Sequence, residues 1–383
     1  MSHNPIFCIL PPHMLGEIIA KGSDNQRSRA MQTLSLSEQA RGQRRALTDI
    51  SHMLTAMSAS AEKTRTIYDA REGSTLPGTL VRKEGDPPVA DPAANEAYDG
   101  CGFTYDLYKN FFGRNSLDGN GMHIDSTVHY QKGYDNAFWD GKQMVYGDGD
   151  EDLPEAQRLF NRFTISVDII GHELTHGITQ YEANLAYFAQ SGALNESMSD
   201  VFGSLVKQYQ RGQSAAEADW IIGEGLFTSN VKGVGIRSMK APGTAYDDPV
   251  IGKDPQPGHM KDYVSTTQDN GGVHINSGIP NHAFYVAALE IGGNAWEKAG
   301  QVWYIALRDN LKGTSDFQDA ANQTFLIAGQ KFGVGSLEQK AVAKGWAEVG
   351  ITAVSVPVTP PVTNGGSGCL TAVFRGLGLL RNG

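Results

Sequence analysis

The residues best suited to chemistry are His172-Glu173-Leu174-Thr175-His176. Two histidines four positions apart share one face of a helix, so both imidazoles reach a single ion. The five residues match the H-E-x-x-H pattern of zinc metalloproteases, a pattern that also occurs by chance in unrelated helices. Glu173 is displaced sideways from the first histidine, where it reaches a water held by the metal rather than the metal itself. Catalytic zinc takes three protein ligands and keeps a fourth position for water, so a third ligand is required. Glu196, twenty positions past His176, is the candidate. Asp200, four positions further, shares its helix face and can hold the other ring nitrogen of a ligand histidine. Taken singly, both acids also fit ordinary helix charges; the neighbouring pentad favours the ligand reading.

A further element is Asp269-Asn270-Gly271-Gly272-Val273-His274. A histidine in a Gly-rich loop, five residues after an aspartate, can donate to a developing oxyanion while the aspartate holds it. The alternative is a loop histidine bonded to a backbone carbonyl.

Helices must position these groups. The spacing predicts helices over 153–163 and 165–181, then over 195–209 with Met198, Phe202, Leu205 and Val206 inward. Further helices are expected over 280–291, 296–309, 316–332 and 337–349. Residues 60–150 carry dense turn signals, among them Pro77-Gly78, Asp99-Gly100 and Asp118-Gly119-Asn120-Gly121, and read as β-rich. The expected domains are 1–58, an N-terminal segment that the resemblance given below makes a pro-segment; 59–180, a β-rich part ending in the pentad helix; 181–352, a helical part; and 353–383, a Pro/Gly linker and tail. The fold class expected is α+β.

Composition narrows the classes. The chain has 383 residues, of which 40% are apolar and 19% charged, so wholesale disorder is excluded. Net charge is −10, which disfavours nucleic acid and anionic membranes as partners. No apolar run approaches the 18 residues of a membrane helix. Cys8, Cys101 and Cys369 form neither a disulfide framework nor a metal cage. No Lys or Arg precedes the apolar run Ile6–Leu10 and Pro11-Pro12 cuts it short, so no classical signal peptide is expected.

Residues 1–59 hold six basic and four acidic residues, against −12 for the remainder. An amphipathic helix is expected over 35–57 through Leu36, Ala40, Leu47, Ile50 and Leu54. On composition the region is either a docked pro-segment or a solvated N-terminal arm.

Together these features resemble the thermolysin-like family of zinc metallopeptidases, from about Tyr98 to Val349. The match includes Asn136-Ala137-Phe138-Trp139 and Met144-Val145-Tyr146-Gly147-Asp148-Gly149-Asp150, besides the pentad, the Glu196 segment and the His274 loop. Pro11-Pro12-His13-Met14-Leu15 resembles the short pro-segments of the protealysin-type subgroup. The resemblance implies a β-rich N-terminal domain and a helical C-terminal domain with zinc in the cleft between them. It implies one catalytic Zn2+ on His172, His176 and Glu196, with Glu173 as general base. Tyr187 and His274 would donate to the oxyanion, with Asp269 orienting His274. Asn195 and Asp200 would support His176 and His172. Asn136 and the Ala137 backbone would bind the substrate main chain, and Arg237 a substrate carbonyl. Phe160, Phe163, Ile169, Ile222, Leu226 and Ile236 match the apolar pocket for the residue after the scissile bond; ordinary core is their alternative.

The function so implied is a neutral endopeptidase that cuts on the amino side of bulky hydrophobic residues and is made as a self-processed zymogen. It would be a monomer, with protein or peptide substrates and its own pro-segment as inhibitor. It would be secreted without a classical signal peptide, the cytoplasm being the alternative. Cys8 is either an extra thiolate for the zinc or a buried inert residue. A zinc aminopeptidase would need a site for the substrate amine, and no Gly-x-Met-Glu-Asn stretch supplies one. A non-catalytic zinc protein predicts a lost general base, yet Glu173 is present. The family's paired calcium site is matched by Asp168, Asp219 and Glu224, but Lys207 replaces its bridging acid and Ile221 another. Calcium wants six to eight oxygens, so at most one weak Ca2+ is expected there.

Overall fold

The computed structural model describes residues 7–51 and 62–354, and for Phe7 and residues 39–51 the backbone alone. The expected pro-segment cut near 55–60 and the tail with Cys369 lie outside the described residues. Chain order is β1 (Phe7–Cys8), α1 (Pro12–Lys21), α2 (Asp24–Ser51), β2 (Arg65–Asp69), β3 (Thr79–Lys83), α3 (Pro92–Phe112), β4 (Ile124–Val128), β5 (Ala137–Trp139) and β6 (Met144–Tyr146). Then come α4 (Val167–Tyr181), α5 (Ala189–Arg211), α6 (Asp269–Asn276), α7 (Gly278–Ile291), α8 (Ala299–Ile305), α9 (Phe317–Phe332) and α10 (Leu337–Glu348), with short two-residue strand pairs between α5 and α6.

One six-stranded sheet of order β1-β5-β6-β4-β2-β3 fills the N-terminal part. Strands β2, β4 and β6 run parallel, while β5 and β1 return antiparallel, with Phe7 opposite Trp139 and Cys8 opposite Phe138. The later part is helical, so the α+β expectation holds.

Two local expectations need correction. The β-rich stretch contains α3, a helix of 21 residues. Gly100, read above as part of a turn, and Gly102 are contact residues, because a Cβ on Gly100 would lie 2.4 Å from Ile170 Cδ1 of α4 and one on Gly102 2.2 Å from Arg65 Nη1. The helix expected over 153–163 does not form; only 3₁₀ turns at Glu155–Gln157 and Phe163–Ile165 occur. Asp150 Oδ2 instead accepts the amides of Leu159 (2.7 Å) and Phe160 (3.1 Å), which fixes that backbone in loop form.

Helices α4 and α5 set the site. They cross closely because Gly203 faces α4: a Cβ there would meet the Asp168 carbonyl oxygen at 2.4 Å and His172 N at 3.0 Å. Helix α5 ends at Gly212, whose φ of 63° closes the helix in a left-handed cap. Apolar side chains of α3, α4, α5, α7 and α8 share one core, including Tyr108, Ile170, Phe202, Phe284 and Trp303.

Candidate active site

Helix α4 carries His172, Glu173 and His176, all buried, and α5 brings Glu196 across from them. The two Nε2 atoms are 3.0 Å apart. Glu196 Oε2 lies 3.5 Å from His172 Nε2, and Oε1 lies 3.5 Å from His176 Nε2. Among the described residues these three form the one cluster able to hold a metal, with ligand atoms within 4.8 Å of one another. Glu196 Oε2 is buried with no hydrogen-bond partner among the described residues. A buried, unpartnered carboxylate oxygen facing two imidazoles is costly without a cation. Two imidazoles and a carboxylate are a zinc donor set that keeps a position open, so the residues fit zinc.

The supports for these groups are complete. His172 Nδ1 pairs with Asp200 Oδ1 (2.8 Å), and His176 Nδ1 with Asn195 Oδ1 (2.8 Å) and Ser199 Oγ (3.0 Å). Asn195 Nδ2 donates to the Leu185 carbonyl (3.1 Å), which turns its oxygen toward His176. Asp200 also accepts both Arg237 Nε (2.8 Å) and Nη2 (2.7 Å), and Asn281 Nδ2 (2.8 Å). Burial opposes the charge of Asp200, but Arg237 and His172 hold its carboxyl well below the usual range.

Glu173 Oε2 accepts the backbone N–H of Trp139 on β5 (3.1 Å), while Oε1 is buried without a partner among the described residues. Burial first, and then the charge of Glu196, push its carboxyl well above the ordinary value. That is the direction a general base working near neutral pH needs.

His274 sits where α6 begins irregularly, with Asn270, Gly271 and Gly272 all at positive φ. That turn lets Asp269 accept both the His274 amide (2.8 Å) and Nδ1 (2.6 Å). Nε2 faces Tyr187 Oη at 3.1 Å and the Cys8 carbonyl oxygen at 3.1 Å. Tyr187 Oη also donates to Glu196 Oε1. Tyr187, His274 and Asp269 are thus linked side chain to side chain.

The N-terminal segment lies through this site. The Ile9 amide donates to the Ala137 carbonyl (3.3 Å), and Arg237 Nη1 donates to the Ile9 carbonyl (3.2 Å). Asn136 Oδ1 accepts the Leu10 amide (2.9 Å), and its Nδ2 faces the Leu10 carbonyl at 3.4 Å. Asn136, Ala137 and Arg237 therefore all hold peptide backbone. Ile9 is fully buried in the core cluster that also contains Phe160, Phe163, Ile169, Ile222, Leu226 and Ile236. The Cys8 side chain packs instead with Ala70, Tyr130, Tyr134, Phe138 and Val145, so it belongs to core rather than to the metal cluster. Composition read the segment as arm or pro-segment; its burial and main-chain pairing favour the docked state. Asn281, Ser199 and the Trp139 amide escaped the sequence reading, since an asparagine, a serine and a backbone N–H have no distinctive spacing.

Lys207 of α5 is buried, 2% exposed, and its Nζ lies 3.0 Å from Asp168, 2.8 Å from Asp219 and 3.9 Å from Glu224. It also donates to the Ile221 carbonyl. Burial opposes its charge, but Asp168 and Asp219 raise its pKa above the ordinary ammonium value. The ammonium points into the carboxylate cluster, not to solvent.

A pentad helix, a glutamate from the next helix and a histidine aimed into the same cleft define a metallopeptidase. Residues 21–180 match the thermolysin metallopeptidase catalytic domain, and residues 183–351 match the thermolysin metallopeptidase alpha-helical domain. The chain is 49% identical over 352 residues to an extracellular metalloprotease of Pectobacterium carotovorum subsp. carotovorum, covering 92% of this chain and 98% of that one. It is 40% identical over 293 residues to a thermolysin of Alicyclobacillus acidocaldarius subsp. acidocaldarius, covering 74% of this chain and 50% of that one. A solved structure of the precursor of protealysin, a metalloproteinase from Serratia proteamaculans, superposes with a TM-score of 0.80 at 50% identity, covering 90% of this chain and all of that one. This chain belongs to the thermolysin family of metallopeptidases.

Proposed function

We propose that this protein is a secreted zinc endopeptidase that cuts before bulky hydrophobic residues and is made as a zymogen whose N-terminal segment is removed by self-cleavage. The observation that carries the reading is the course of residues 7–10. They add to the edge of β5 as an extended peptide would. The Cys8 carbonyl faces His274, and the following residue, Ile9, is bulky, apolar and fully buried. Phe7 pairs with Trp139 upstream of that bond, so chain is held on both sides of it, as an endopeptidase requires and an aminopeptidase does not.

His172, His176 and Glu196 would hold the zinc. When bound, zinc supplies Lewis acidity, polarising a carbonyl and bringing the pKa of water from 15.7 to about 7. Glu173 takes the proton of the attacking water and delivers it to the leaving amine. His274, held by Asp269, and Tyr187 donate to the oxyanion; one such donor is worth about 10²–10³ in rate. Both ring nitrogens of His274 face acceptors, Asp269 and the Cys8 carbonyl, which a doubly protonated ring satisfies. Asn136, Ala137 and Arg237 register the substrate backbone. Asn195 and Asp200 fix the imidazole orientations.

At the second cluster, Lys207 takes the place of paired calcium ions by neutralising Asp168, Asp219 and Glu224. At most one weak calcium binds there.

Casein digestion with and without a chelator tests the activity. Internal cuts before Leu, Ile, Phe or Val that stop on chelation are expected. N-terminal trimming alone, or chelator-resistant cleavage, rules the reading out. Intact mass over time tests the zymogen: the parent should shorten and a Glu173→Ala chain should stay full length. Full activity of an unshortened parent refutes it.

A further inference from the structure

Three strand ends meet beside the residues that hold peptide backbone. The chain leaves β4 at His129, whose φ of 54° ends the extended run. The next amide, that of Tyr130, donates to the Tyr146 carbonyl at the end of β6 (3.0 Å). The Gly147 amide donates to the Asn136 carbonyl at the start of β5 (2.9 Å). Gly147 admits no side chain, because a Cβ there would lie 1.9 Å from the Tyr134 carbonyl oxygen. Its own carbonyl accepts the Phe163 amide (3.2 Å). The main chain of 146–147 is therefore the floor under Asn136, whose side chain holds Leu10.

His129 ties the residue after Gly147, Asp148, to a different element. Its Nδ1 lies 2.9 Å from both oxygens of Asp148, and its Nε2 lies 2.9 Å from Asp91 Oδ2. Asp91 caps α3, its Oδ1 accepting the Ala93 amide (2.9 Å). From the β2–β3 loop, the Glu72 amide donates to the His129 carbonyl (2.9 Å), so the ring is carried on fixed backbone. A ring with a carboxylate on each nitrogen needs a proton on both. The charged groups acting on it are Asp148, after β6, and Asp91, at the start of α3, and both are acids. The hydrogen bond to Asp148, helped by Asp91, outweighs burial and pushes the pKa of His129 up from 6.5 to about 9.

We infer that His129 is a positioning residue for the peptide backbone: by bridging Asp91 and Asp148 it fixes the strand end 146–148 on which the Asn136 carbonyl rests, and so the reach of Asn136 toward a bound chain. This deepens the endopeptidase reading and rests on it for the substrate, but the contact governed, Asn136 with Leu10, exists in the full chain without any catalysis. A displaced His129 ring returns to its ordinary value, so the bridged state holds its proton more firmly than the opened one. The bridge is at full strength below about pH 6.5 and weakens above it by up to about tenfold per pH unit. Its charge contribution is lost once pH passes about 9. Toward a substrate, a loosened Asn136 shows as a raised KM, because main-chain binding is shared by ground state and transition state.

The test is amide hydrogen exchange of the full chain carrying Glu173→Gln, which retains the segment, with and without a change at His129. His129→Gln keeps a polar side chain but removes the charge. It should lower the protection of the Leu10 amide about tenfold at pH 7, while the amides of α4 and α5 keep theirs. With His129 in place, that protection, corrected for intrinsic rate, should fall about tenfold between pH 7 and pH 9 and stay flat in His129→Gln. His129→Arg, a cation throughout that range, should keep the protection and flatten the pH response. A Leu10 amide indifferent to His129→Gln, a loss shared equally by α4 and α5, an equal pH response in both chains, or a His129→Arg chain no better protected than His129→Gln overturns the inference. If His129→Gln does not melt cooperatively, the fall of Leu10 protection with pH against unchanged α4 and α5 decides. In cleaving chains, His129→Gln should raise KM for an internally quenched peptide about tenfold and leave kcat within about twofold; a fall in kcat at constant KM contradicts the assignment. Because exchange needs no peptidase activity, a failed exchange test leaves the endopeptidase reading intact, and a failed casein digestion leaves the hold of His129 on Asn136 intact.

Discussion

The carbonyl oxygen of Cys8 stands 3.1 Å from Nε2 of His274, the position the proposed mechanism gives a scissile carbonyl. The contact is made by main chain, so it does not depend on the side chain at position 8. Inhibition by the segment is therefore expected to survive Cys8→Ala. The register is set downstream, where Arg237 and Asn136 hold Ile9 and Leu10.

Glu173→Gln should abolish proteolysis while leaving the metal in place. Glu173 is held by Trp139 N and is not one of the three clustered ligands. Loss of a general base costs about 10²–10⁴ in rate. Zinc per chain, measured by atomic absorption, should stay near that of the parent while casein turnover falls by that factor; near-normal turnover would dismiss the assigned role.

Asp200→Asn should weaken zinc binding. Asp200 takes His172 Nδ1 and Arg237 together, and losing such a partner typically costs 10–100-fold in metal affinity. Competition with a fluorescent zinc chelator reads the change. An unchanged affinity would mean that Asp200 serves packing alone.

Lys207→Ala should destabilise the fold by about 3–5 kcal/mol, since breaking a buried ion pair leaves Asp168 uncompensated. Lys207→Glu should restore calcium dependence, visible as a melting temperature that rises with millimolar calcium. A parent whose own melting collapses on calcium removal, with no shift in Lys207→Glu, would contradict the substitution of ammonium for ion.

Docking of the N-terminal segment should weaken in acid. His13 is packed into the interface with Nε2 3.1 Å from Tyr246 Oη, in the field of Asp269, His274, Arg237 and Glu17. Burial lowers its pKa from 6.5 to about 4, although Asp269 opposes the shift. Once released, the ring regains its ordinary value. Between the two values the released form binds a proton that the docked form refuses. Docking is thus at full strength above about pH 6.5 and loses ground as pH falls toward 4, by up to about two decades in the docked-to-released ratio. Hydrogen exchange of α1 in the Glu173→Gln chain at pH 7 and pH 4.5 checks this. His13→Phe should flatten the pH dependence; an equal response in both chains would assign it elsewhere.

The zinc pentad, Glu196 and Asp200 were legible because helical spacing ties sequence directly to a shared face. The later helices were legible for the same reason. Helix α3 was not, because its glycines signal turns locally and serve close packing against Ile170 and Arg65, which only the tertiary structure reveals. The stretch after Asp150 read as a helix by its apolar spacing, yet one buried carboxylate captured two of its amides. The course of residues 7–10 was invisible for a different reason: a two-residue strand has no periodicity, and its pairing partner lies some 130 positions away.

Strand β5 is three residues long, and its outer edge is covered by β1. Were that cover to depart, the Ala137 carbonyl that accepts the Ile9 amide would stand open. An open strand edge is also a place where one copy of a chain can stick to another. Its brevity limits that hazard, since so short a ladder holds a passing peptide only with help from Asn136 and Arg237. The same shortness that makes the strand a poor seed for aggregates would, in the proposed reaction, let cut products leave.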